Sequence, residues 1–415
     1  MIYAKSLAWS HRDAAVQRHI AIVTETYPPE INGVASTLAH LVRGLRLSGY
    51  KVSVARPRQK RFDESISSDP AVTLVPALPL PSYRELNIGL PAGGILQQCW
   101  MQHRPDVVYI ATQGPLGWSA LRAARHLEIP VFSGFHTNFH IYSEHYHAGW
   151  LSFFILSYLR GFHNRTVGTL VATDELRDRL LATGFKNVSV FGRGVDSRLF
   201  SPEHRSAALR RVWRAGDDDL VVLYVGRVAP EKNLELAIES YRAMQRVNKA
   251  VKFVVVGDGP LRPALQGKHD DFIFCGKQEG QELAKHYASA DVFLFPSETE
   301  TFGNVTLEAM ASGLAVVAYD YAAARIHITD GETGLLAPYR RSSEFAGAAV
   351  RLAREPQSLF KIRQQARQCA VTLDWQRVID RFARIVMGTL HLDHTADPEI
   401  ASDAIGAMDR AIELR

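Results

Sequence analysis

Two carboxylates frame the stretch ETETFGNVTLEAMASGLAVVA, residues 298 to 318, and they are suited to one kind of chemistry. Glu300 precedes a predicted helix, and Glu308 lies about two helical turns further along it. Carboxylates in these places can accept hydrogen bonds from hydroxyls spread along an extended ligand, and sugars and riboses carry such hydroxyls. The Phe-Gly-Asn sequence between them would bring the N–H end of the helix close to a phosphate or a sugar. A capping glutamate followed by a solvated one would give the same spacing.

Two cations stand where anions are commonly bound. In VGRVAPEKN, residues 225 to 233, Arg227 follows an apolar run and Lys232 precedes a helical pattern. Backbone N–H groups and the positive end of the helix dipole meet there, and the two cations add charge. A nucleotide diphosphate would suit this place, although two ordinary surface charges would have the same pattern. The Gly-Asp-Gly of VVVGDGP, residues 254 to 260, lets the backbone turn sharply or approach a ligand closely.

The elements that must position these residues alternate between short apolar runs and longer helical patterns. This alternation predicts crossover connections, parallel sheets and an α/β fold. Strands are predicted in a first series at 19–23, 51–55, 106–110 and 129–134 and in a second series at 219–227, 251–259, 271–276, 290–297 and 313–319. Helices are predicted between them, for example at 36–49, 117–127 and 233–247. Two series predict two doubly wound domains that face each other across a cleft, where ligands meet the carboxyl ends of the strands.

The predicted domain boundaries follow from this pattern. The Gly-, Pro- and charge-rich segment 192–205 separates the two series. We predict the following order: a loose N-terminal extension (1–18), an N-terminal acceptor domain (19–195), a C-terminal donor domain (196–374), a helix that packs back on the N-terminal domain (375–390) and a tail (391–415).

Composition bounds the class of protein. The 415 residues are 47% hydrophobic and 22% charged, as in globular proteins, and no apolar run is long enough to span a membrane. Three widely spaced cysteines argue against a disulfide scaffold and favour a reducing compartment. We therefore expect a cytoplasmic protein without a signal peptide, and we expect no nucleic-acid partner.

The positive charge is concentrated in the first half of the chain. Residues 1 to 200 hold 21 Lys and Arg against 14 Asp and Glu, whereas the whole chain carries a formal charge of +5. This imbalance suits an anionic partner such as the inner face of the plasma membrane. The basic cluster at 56–61 and the aromatic segment 149–163 are candidate contacts with lipid. The alternatives are an ordinary solvated loop for the basic cluster and a buried helix of the N-terminal domain for the aromatic segment.

Taken in order, GRVAPEKN, VVGDGP, FCG, SETETFGNVTLEAMASGLAVVA and DGETGLLAP resemble the family-four retaining glycosyltransferases of GT-B fold. The resemblance extends over roughly residues 19 to 390 and implies two Rossmann-like domains. Its Glu-x7-Glu pair corresponds to Glu300 and Glu308. TETYPPEINGVAST, residues 24 to 37, resembles the first-strand loop of the family, although Asn32 stands where many members have a second glycine.

The resemblance also implies roles for individual residues. Arg227 and Lys232 would bind the diphosphate and neutralise the leaving group, Glu308 would hold the donor ribose, and Glu300 would orient the sugar. His136, in GFHTNFHIYSEHY, would help to position the donor sugar. The remaining expected donor contacts are Gly33, Gly257, Gly276, Lys277, Phe302, Gly303 and Asn304. Glu25 at the end of the first strand could meet an acceptor or could serve as a cap.

The expected reaction is transfer of a hexose with retention, catalysed by positioning and electrostatic stabilisation. No nucleophile is evident, so a front-face displacement is expected in which the departing diphosphate takes the acceptor proton. No metal-binding Asp-x-Asp signature occupies a suitable loop, and basic side chains can replace a cation. We therefore expect no metal site, no cofactor and no divalent-metal requirement in a transfer assay.

The expected substrates follow the same resemblance. The favoured donor is GDP-mannose, and the favoured acceptor is a membrane lipid or a glycan precursor, with peripheral contact to an anionic membrane. A UDP-hexose-dependent glycolipid synthase, a nucleotide-sugar 2-epimerase and a donor-binding protein without transfer activity are the alternatives. A dinucleotide oxidoreductase is disfavoured because no Gly-x-Gly-x-x-Gly follows the first strand.

Overall fold

The computed structural model describes residues 17–28, 30, 32–59, 69–80, 83–136, 149–300 and 302–388. The strands within these ranges are β1 (His19–Val23), β2 (Lys51–Pro57), β3 (Val72–Val75), β4 (Ala77–Leu80), β5 (Tyr83–Gly89), β6 (Val107–Ile110), β7 (Val131–Gly134), β8 (Gly168–Val171), β9 (Val188–Val190), β10 (Leu220–Val225), β11 (Val251–Val256), β12 (Ile273–Gly276), β13 (Val292–Phe295), β14 (Ala315–Tyr319) and β15 (Leu335–Ala337).

The α-helices of the same ranges are α1 (Gly33–Leu47), α2 (Gly93–Gln102), α3 (Pro115–His126), α4 (Gly149–His163), α5 (Asp174–Ala182), α6 (Ala207–Val212), α7 (Leu234–Val247), α8 (Arg262–Lys268), α9 (Gly280–Ser289), α10 (Asn304–Ala311), α11 (Ala322–His327), α12 (Ser342–Arg354), α13 (Pro356–Val371) and α14 (Trp375–Gly388). Two short 3₁₀ turns lie at Pro202–His204 and Pro230–Lys232.

The strands form two large sheets, which confirms the predicted pair of Rossmann-like domains. The first has seven strands in the order β3-β2-β1-β6-β7-β8-β9, and the second has six in the order β12-β11-β10-β13-β14-β15. All pairs in the second sheet are parallel. In both sheets the chain reverses its direction of travel across the sheet, at β1/β6 and at β10/β13. Such switch points are where doubly wound sheets bind their ligands.

The second sheet is covered on both faces, and strand β10 shows why. Its six residues, LVVLYV, are all buried. Val221 and Leu223 contribute to one apolar cluster, whereas Val222 and Tyr224 contribute to the cluster on the other face. Because successive side chains of a strand point to opposite faces, a run that is apolar throughout predicts a strand buried on both sides.

The sequence pattern missed four short strands. Strands β9 and β15 have three residues each, and β3 and β8 have four. A three-residue run carries too little periodicity to separate it from a loop. Strands β6, β7, β12 and β13 also have four residues each, but they lie within longer apolar runs that were predicted. The antiparallel pair β4–β5 also lay outside the predicted βα alternation.

By Cα proximity the chain divides into two compact units, one drawn from residues 1–30, 41–132 and 386–415 and the other from 31–40 and 133–385. In the second unit, Trp375 at the start of α14 stacks on His40, with ring centroids 5.0 Å apart. Phe382 makes an edge contact with Phe191 at 5.9 Å. The predicted tail, 391–415, and most of the predicted N-terminal extension lie outside the described residues.

The aromatic segment predicted at 149–163 is helix α4, and the helix has two different faces. Leu159 and Phe162 are buried. Phe153 and Phe154 are 62% and 61% exposed, and Tyr158 is 46% exposed. Neither α4 nor any other helix in the described ranges combines the length and apolar character that crossing a membrane requires.

The basic cluster at 56–61 is not uniformly exposed. Arg56 is buried, and its Nη1 donates to the carbonyl of Pro57 at 3.1 Å. Arg58 is exposed. Arg56 therefore belongs to the interior, and the prediction that it faces lipid is wrong, while Lys60 and Arg61 lie outside the described residues.

Candidate functional site

The loops after strands β10 and β11 pack backbone against backbone, and glycines make this possible. Gly257 has φ +140°, and a Cβ on it would lie 1.9 Å from the carbonyl oxygen of Gly226. A Cβ on Gly259 would lie 2.3 Å from the carbonyl oxygen of Val228. The Val228 N–H donates to the carbonyl of Asp258 at 2.9 Å. The Gly-Asp-Gly sequence is thus required for this close approach at the carboxyl edge of the sheet.

Strand β12 joins the same edge. The Gly257 N–H donates to the carbonyl of Gly276 at 2.8 Å, and Gly276 has φ +68°. Lys277 follows as an exposed residue whose Nζ lies 3.5 Å from Glu279 Oε1. The structure therefore places Gly257, Gly276 and Lys277 together.

The ion pair between Lys232 and Glu300 is the centre of the candidate site. Lys232 ends the 3₁₀ turn after β10, and Glu300 lies in the loop after β13, the neighbouring strand. Lys232 Nζ contacts Glu300 Oε1, and the two side chains are only 20% and 14% exposed. Ser297 Oγ donates to the same carboxylate oxygen at 2.8 Å. Partial shielding from water strengthens this attraction relative to an exposed pair.

Tyrosine hydroxyls fix the backbone around this pair. The Glu300 N–H donates to the hydroxyl of Tyr321, which follows strand β14. Tyr224 donates its hydroxyl to the carbonyl of Arg227 at 3.0 Å. Burial, with the negative charges of Glu300 and Glu231 adding to it, raises the pKa of Tyr224 above its usual value. The phenol therefore stays protonated as a donor.

Arg227 is the more exposed cation of the pair predicted from sequence. Its side chain is 48% exposed, and its Nη2 lies 3.3 Å from Glu231 Oε1. An exposed pair of this kind contributes little stability, so the guanidinium can exchange its partner at small cost.

Glu308 lies on helix α10 in a different setting from Glu300. Its Oε2 accepts a hydrogen bond from the hydroxyl of the fully buried Tyr287 at 3.0 Å. Burial raises the pKa of Glu308 to about 7, and the Tyr287 hydrogen bond partly offsets the rise. Glu308 is therefore an acceptor whose charge changes near neutral pH.

Helix α10 begins at Asn304, directly after Gly303, which has φ 91° and no side chain with which to cap the helix. A Cβ on Gly33 would lie 3.9 Å from Asn304 Nδ2, so Gly33 lies beside this helix terminus. The ring of Phe302 is 5% exposed and packs in the core. The Phe302 carbonyl accepts a hydrogen bond from the N–H of Ala323 at 2.8 Å, so the structure uses Phe302 as a core residue beside the site and does not show it as a donor contact.

The comparison with known proteins identifies the family. Residues 31–199 match the domain "Glycosyltransferase Family 4" and residues 219–355 match "Glycosyl transferases group 1". The chain is 34% identical over 326 residues to a GDP-mannose-dependent alpha-mannosyltransferase of Mycobacterium tuberculosis. This alignment covers 77% of the chain and 83% of the mycobacterial protein. The chain belongs to glycosyltransferase family 4. The enzyme has the GT-B fold.

Further relatives of this glycosyltransferase agree. It is 36% identical over 324 residues to a GDP-mannose-dependent alpha-mannosyltransferase of Mycolicibacterium smegmatis, covering 76% of this chain and 84% of that one. A crystal structure of HepE from Anabaena, in complex with UDP and glucose, superposes with a TM-score of 0.71 at 20% identity and covers 90% of this chain and 100% of that chain. The structural likeness speaks for the fold alone.

The glycosyltransferase places His136 beside an arginine that the sequence reasoning left unassigned. His136 Nδ1 lies 3.0 Å from Nη2 of Arg193. Burial lowers the pKa of His136 well below its usual value, and the Arg193 charge lowers it further. His140, His145 and His147, nearby in sequence, lie outside the described residues.

Glu25 serves as a tie between loops of the first sheet. Its carboxylate accepts from the N–H groups of Gly89 at 2.5 Å and Leu116 at 3.2 Å. Burial raises the pKa of Glu25 to about 7. This geometry is that of a cap, which was one of its two predicted roles.

Several residues of the site were not predicted. Ser297 and Tyr321 follow strands β13 and β14 by two residues each, so their position at the carboxyl edge was a usable signal. Tyr287 and Tyr224 gave no such signal, because a tyrosine within an apolar pattern is predicted to be an ordinary core residue. Across the described residues, no group of three or more His, Cys, Asp or Glu side chains is arranged to hold a metal ion.

Proposed function

We propose that this glycosyltransferase transfers a hexose with retention, namely mannose from GDP-mannose, to a membrane lipid or a glycan precursor. The shielded Lys232–Glu300 pair at the carboxyl edge of the second sheet carries the proposal. The names of the mycobacterial relatives support the donor.

The diphosphate is bound by Arg227 and Lys232. Without a ligand, both cations are balanced by carboxylates, Glu231 and Glu300. A diphosphate offers more charge than either carboxylate, so it can displace both partners. The backbone N–H groups at the start of α10, with Gly33 beside them, add donors for the phosphates.

When Lys232 moves from Glu300 to the diphosphate, Glu300 becomes available to bind the sugar. Once its cation turns to the diphosphate, the Glu300 carboxylate can accept hydrogen bonds from the hydroxyls of the sugar. Ser297 and the backbone bond to Tyr321 keep the carboxylate in place. Binding of the donor therefore orients the sugar with the same move that holds the leaving group.

The ribose is held by Glu308. Its ionised form accepts hydrogen bonds from two vicinal hydroxyls, while Tyr287 holds the other side of the carboxylate. Gly257, Gly276 and Lys277 form the edge against which the base lies.

The chemical step is a front-face displacement. The bond from the anomeric carbon to the phosphate oxygen breaks, and a bond from that carbon to an acceptor oxygen forms on the same face. The acceptor proton passes to the departing diphosphate. Lys232 and Arg227 stabilise the negative charge that develops on that diphosphate.

The acceptor is expected at a membrane surface on the cytoplasmic side, and the exposed aromatic face of α4 supports this. Phe153, Phe154 and Tyr158 project from one helix whose last turn carries Arg160. Aromatic side chains with basic neighbours suit an anionic lipid interface. Binding to phosphatidylglycerol-containing vesicles should fall in the Phe153→Ser, Phe154→Ser double variant, and unchanged binding would remove this helix from the membrane contact.

A donor panel tests the function. GDP-mannose, UDP-glucose and GDP are compared by thermal shift, because a ligand bound only by the folded state raises the melting temperature. Release of nucleoside diphosphate is then measured with and without a lipid extract as acceptor. We expect GDP-mannose to stabilise the protein and its turnover to require acceptor, with an α-linked product by NMR.

The other outcomes separate the alternatives. A larger shift and turnover with UDP-glucose would replace the donor. A changed sugar without any acceptor would indicate an epimerase, and stabilisation by the donor without turnover would indicate a binding protein.

A further inference from the structure

We propose that Arg193 is a positioning residue that holds His136 as one tautomer, neutral, with its proton on Nε2. The proposal deepens the proposed function, because it says what His136 can do at the donor sugar. It also stands on contacts that do not depend on which donor is bound.

The donor chemistry of arginine decides the tautomer. A guanidinium carries only N–H donors and stays protonated in proteins. Arg193 Nη2 lies 3.0 Å from His136 Nδ1, within hydrogen-bond distance. Nδ1 must therefore offer a lone pair, so the single ring proton of the neutral imidazole lies on Nε2.

The arginine itself is held before any ligand binds. Its guanidinium carbon lies 4.9 Å over the ring of Phe191, and its Nη1 donates to the carbonyl of Gly192 at 3.2 Å. A planar guanidinium stacked on an aromatic ring loses little further freedom on forming a bond. Arg193 thus reaches His136 in a fixed orientation.

The loop that carries Arg193 is pinned on its other side. A Cβ on Gly194 would lie 2.8 Å from the backbone nitrogen of Trp375, at the start of α14. Val195 forms a bridge with Asp374, and its N–H donates to the carbonyl of Leu373 at 3.0 Å. The segment in which the domain boundary was predicted thus makes backbone contacts with the start of α14 on the side away from His136.

The charged surroundings of His136 act in the same direction. Burial has the largest effect on the pKa of His136, and among the described residues Arg193 and His163 lower it further. His163 is buried, and its Nδ1 lies 2.8 Å from Ser133 Oγ. Burial alone lowers the pKa of His163 to about 3. Burial and these neighbours therefore favour the neutral form of His136.

The consequence for the reaction is a restriction on His136. Because Nε2 carries the proton, this atom can donate a hydrogen bond to a sugar oxygen but cannot accept the proton of the acceptor. A donor at this place favours a sugar that presents a hydroxyl oxygen to it, so Arg193 contributes to sugar recognition through His136.

The direct test is ¹⁵N NMR of histidine-labelled protein, with the His136 signals assigned from a His136→Gln variant. We expect an unprotonated Nδ1 and a protonated Nε2, unchanged between pH 8 and pH 6. A proton on Nδ1 in the wild-type protein would overturn the proposal. Arg198→Ala, a change at an exposed arginine of the same loop, should leave the His136 signals where they are.

Two variants separate the hydrogen bond from the charge. Arg193→Ala should give mixed tautomers and a His136 pKa nearer its ordinary value. Arg193→Gln retains a neutral donor, so Nε2–H should persist while the pKa rises. If either variant left both the tautomer and the pKa of His136 unchanged, the assignment to Arg193 would be wrong, even if the variant lowered the melting temperature.

The kinetic arm links the tautomer to transfer. Arg193→Ala should lower kcat with GDP-mannose by roughly ten- to a hundredfold with a smaller change in KM, as for loss of a positioned donor. Arg193→Gln should have a kcat close to that of the wild-type protein, and Arg198→Ala should have the wild-type kcat. If the wild-type protein showed no turnover with GDP-mannose but gave the expected NMR signals, the proposed donor would be wrong and the tautomer of His136 would stand. If Arg193→Ala transferred mannose at an undiminished rate, Arg193 would have no role in transfer.

Discussion

The loop after β13 and the helix α10 hold the two carboxylates of one motif in different ways. Glu300 faces a cation, Lys232, and a hydroxyl, Ser297. Glu308 faces only the neutral phenol of Tyr287 among its described hydrogen-bond partners. The first carboxylate is balanced and can be released by an incoming anion, whereas the second lacks a counter-charge and its ionisation is costly. The two glutamates of the motif therefore differ in the free energy of ionisation, because their hydrogen-bond and charge partners differ.

The largest effect is expected from removing the cation of the first region. Lys232→Ala should lower kcat/KM for transfer by about 10²- to 10⁴-fold, because an electrostatic contact to the leaving group is lost. Lys285→Ala serves as the matched control, since Lys285 pairs with Glu282 on the exposed face of α9. Steady-state release of GDP measures both. An equal rate in the two variants would remove the leaving-group role.

The carboxylates themselves should separate by kinetic parameter. Glu300→Gln should lower kcat by roughly 10- to 10³-fold, because the sugar is no longer oriented in the transition state. Glu308→Gln should instead weaken donor binding by about 10- to 100-fold, or roughly 1–3 kcal/mol, with kcat less affected. Calorimetric titration and initial rates distinguish them. If both variants changed the same parameter to the same extent, the contrast between the two regions would fail.

The pH dependence of donor binding should come from the second region. With its pKa raised to about 7, Glu308 is largely protonated at pH 6 and ionised at pH 8. Affinity for GDP-mannose should therefore rise several-fold across this window, since the ionised carboxylate is the better acceptor. Glu308→Gln should give a flat profile over the same range. A wild-type profile as flat as that of the variant would contradict this role.

A further effect is expected on the stability of the protein without ligand. The folded-state pKa of Glu308 lies above the ordinary value of 4.5, so the folded state keeps a proton that the unfolded state has released. Its contribution to the free energy of unfolding should therefore be largest below pH 4.5 and be lost by about 1–3 kcal/mol as pH rises towards 7. Urea unfolding at pH 5 and pH 8 checks this. Glu308→Gln should reduce the difference between the free energies of unfolding at pH 5 and pH 8. A larger difference in the variant would mean that Glu308 contributes to stability with the opposite pH dependence.

The same contrast shows what a sequence can predict. Strands β10 and β13 were predictable because they are apolar on both faces, and their neighbourhood in a doubly wound sheet brings the residues after them together. Lys232 and Glu300 follow these two strands, so their meeting was within reach of the pattern. Strands β9 and β15 were missed because three residues carry no period.

The partners that set the chemistry could not be predicted in this way. Tyr287 comes from helix α9 and reaches Glu308 through the core, a contact that depends on packing rather than on spacing. Arg193 lies in the Gly-, Pro- and charge-rich segment that predicted a domain boundary, and its contacts with Phe191 and His136 do not follow from that composition. These contacts depend on side-chain direction and packing, which the pattern of apolar and polar residues does not encode.

A crystal structure of the enzyme with GDP-mannose would show directly whether the diphosphate takes the place of Glu300 beside Lys232. We predict that Lys232 Nζ leaves Glu300 and lies within about 3 Å of a diphosphate oxygen, while Glu300 accepts hydrogen bonds from the sugar hydroxyls and Glu308 accepts them from the ribose. A complex in which Lys232 keeps its contact with Glu300 and the diphosphate binds elsewhere would contradict this prediction.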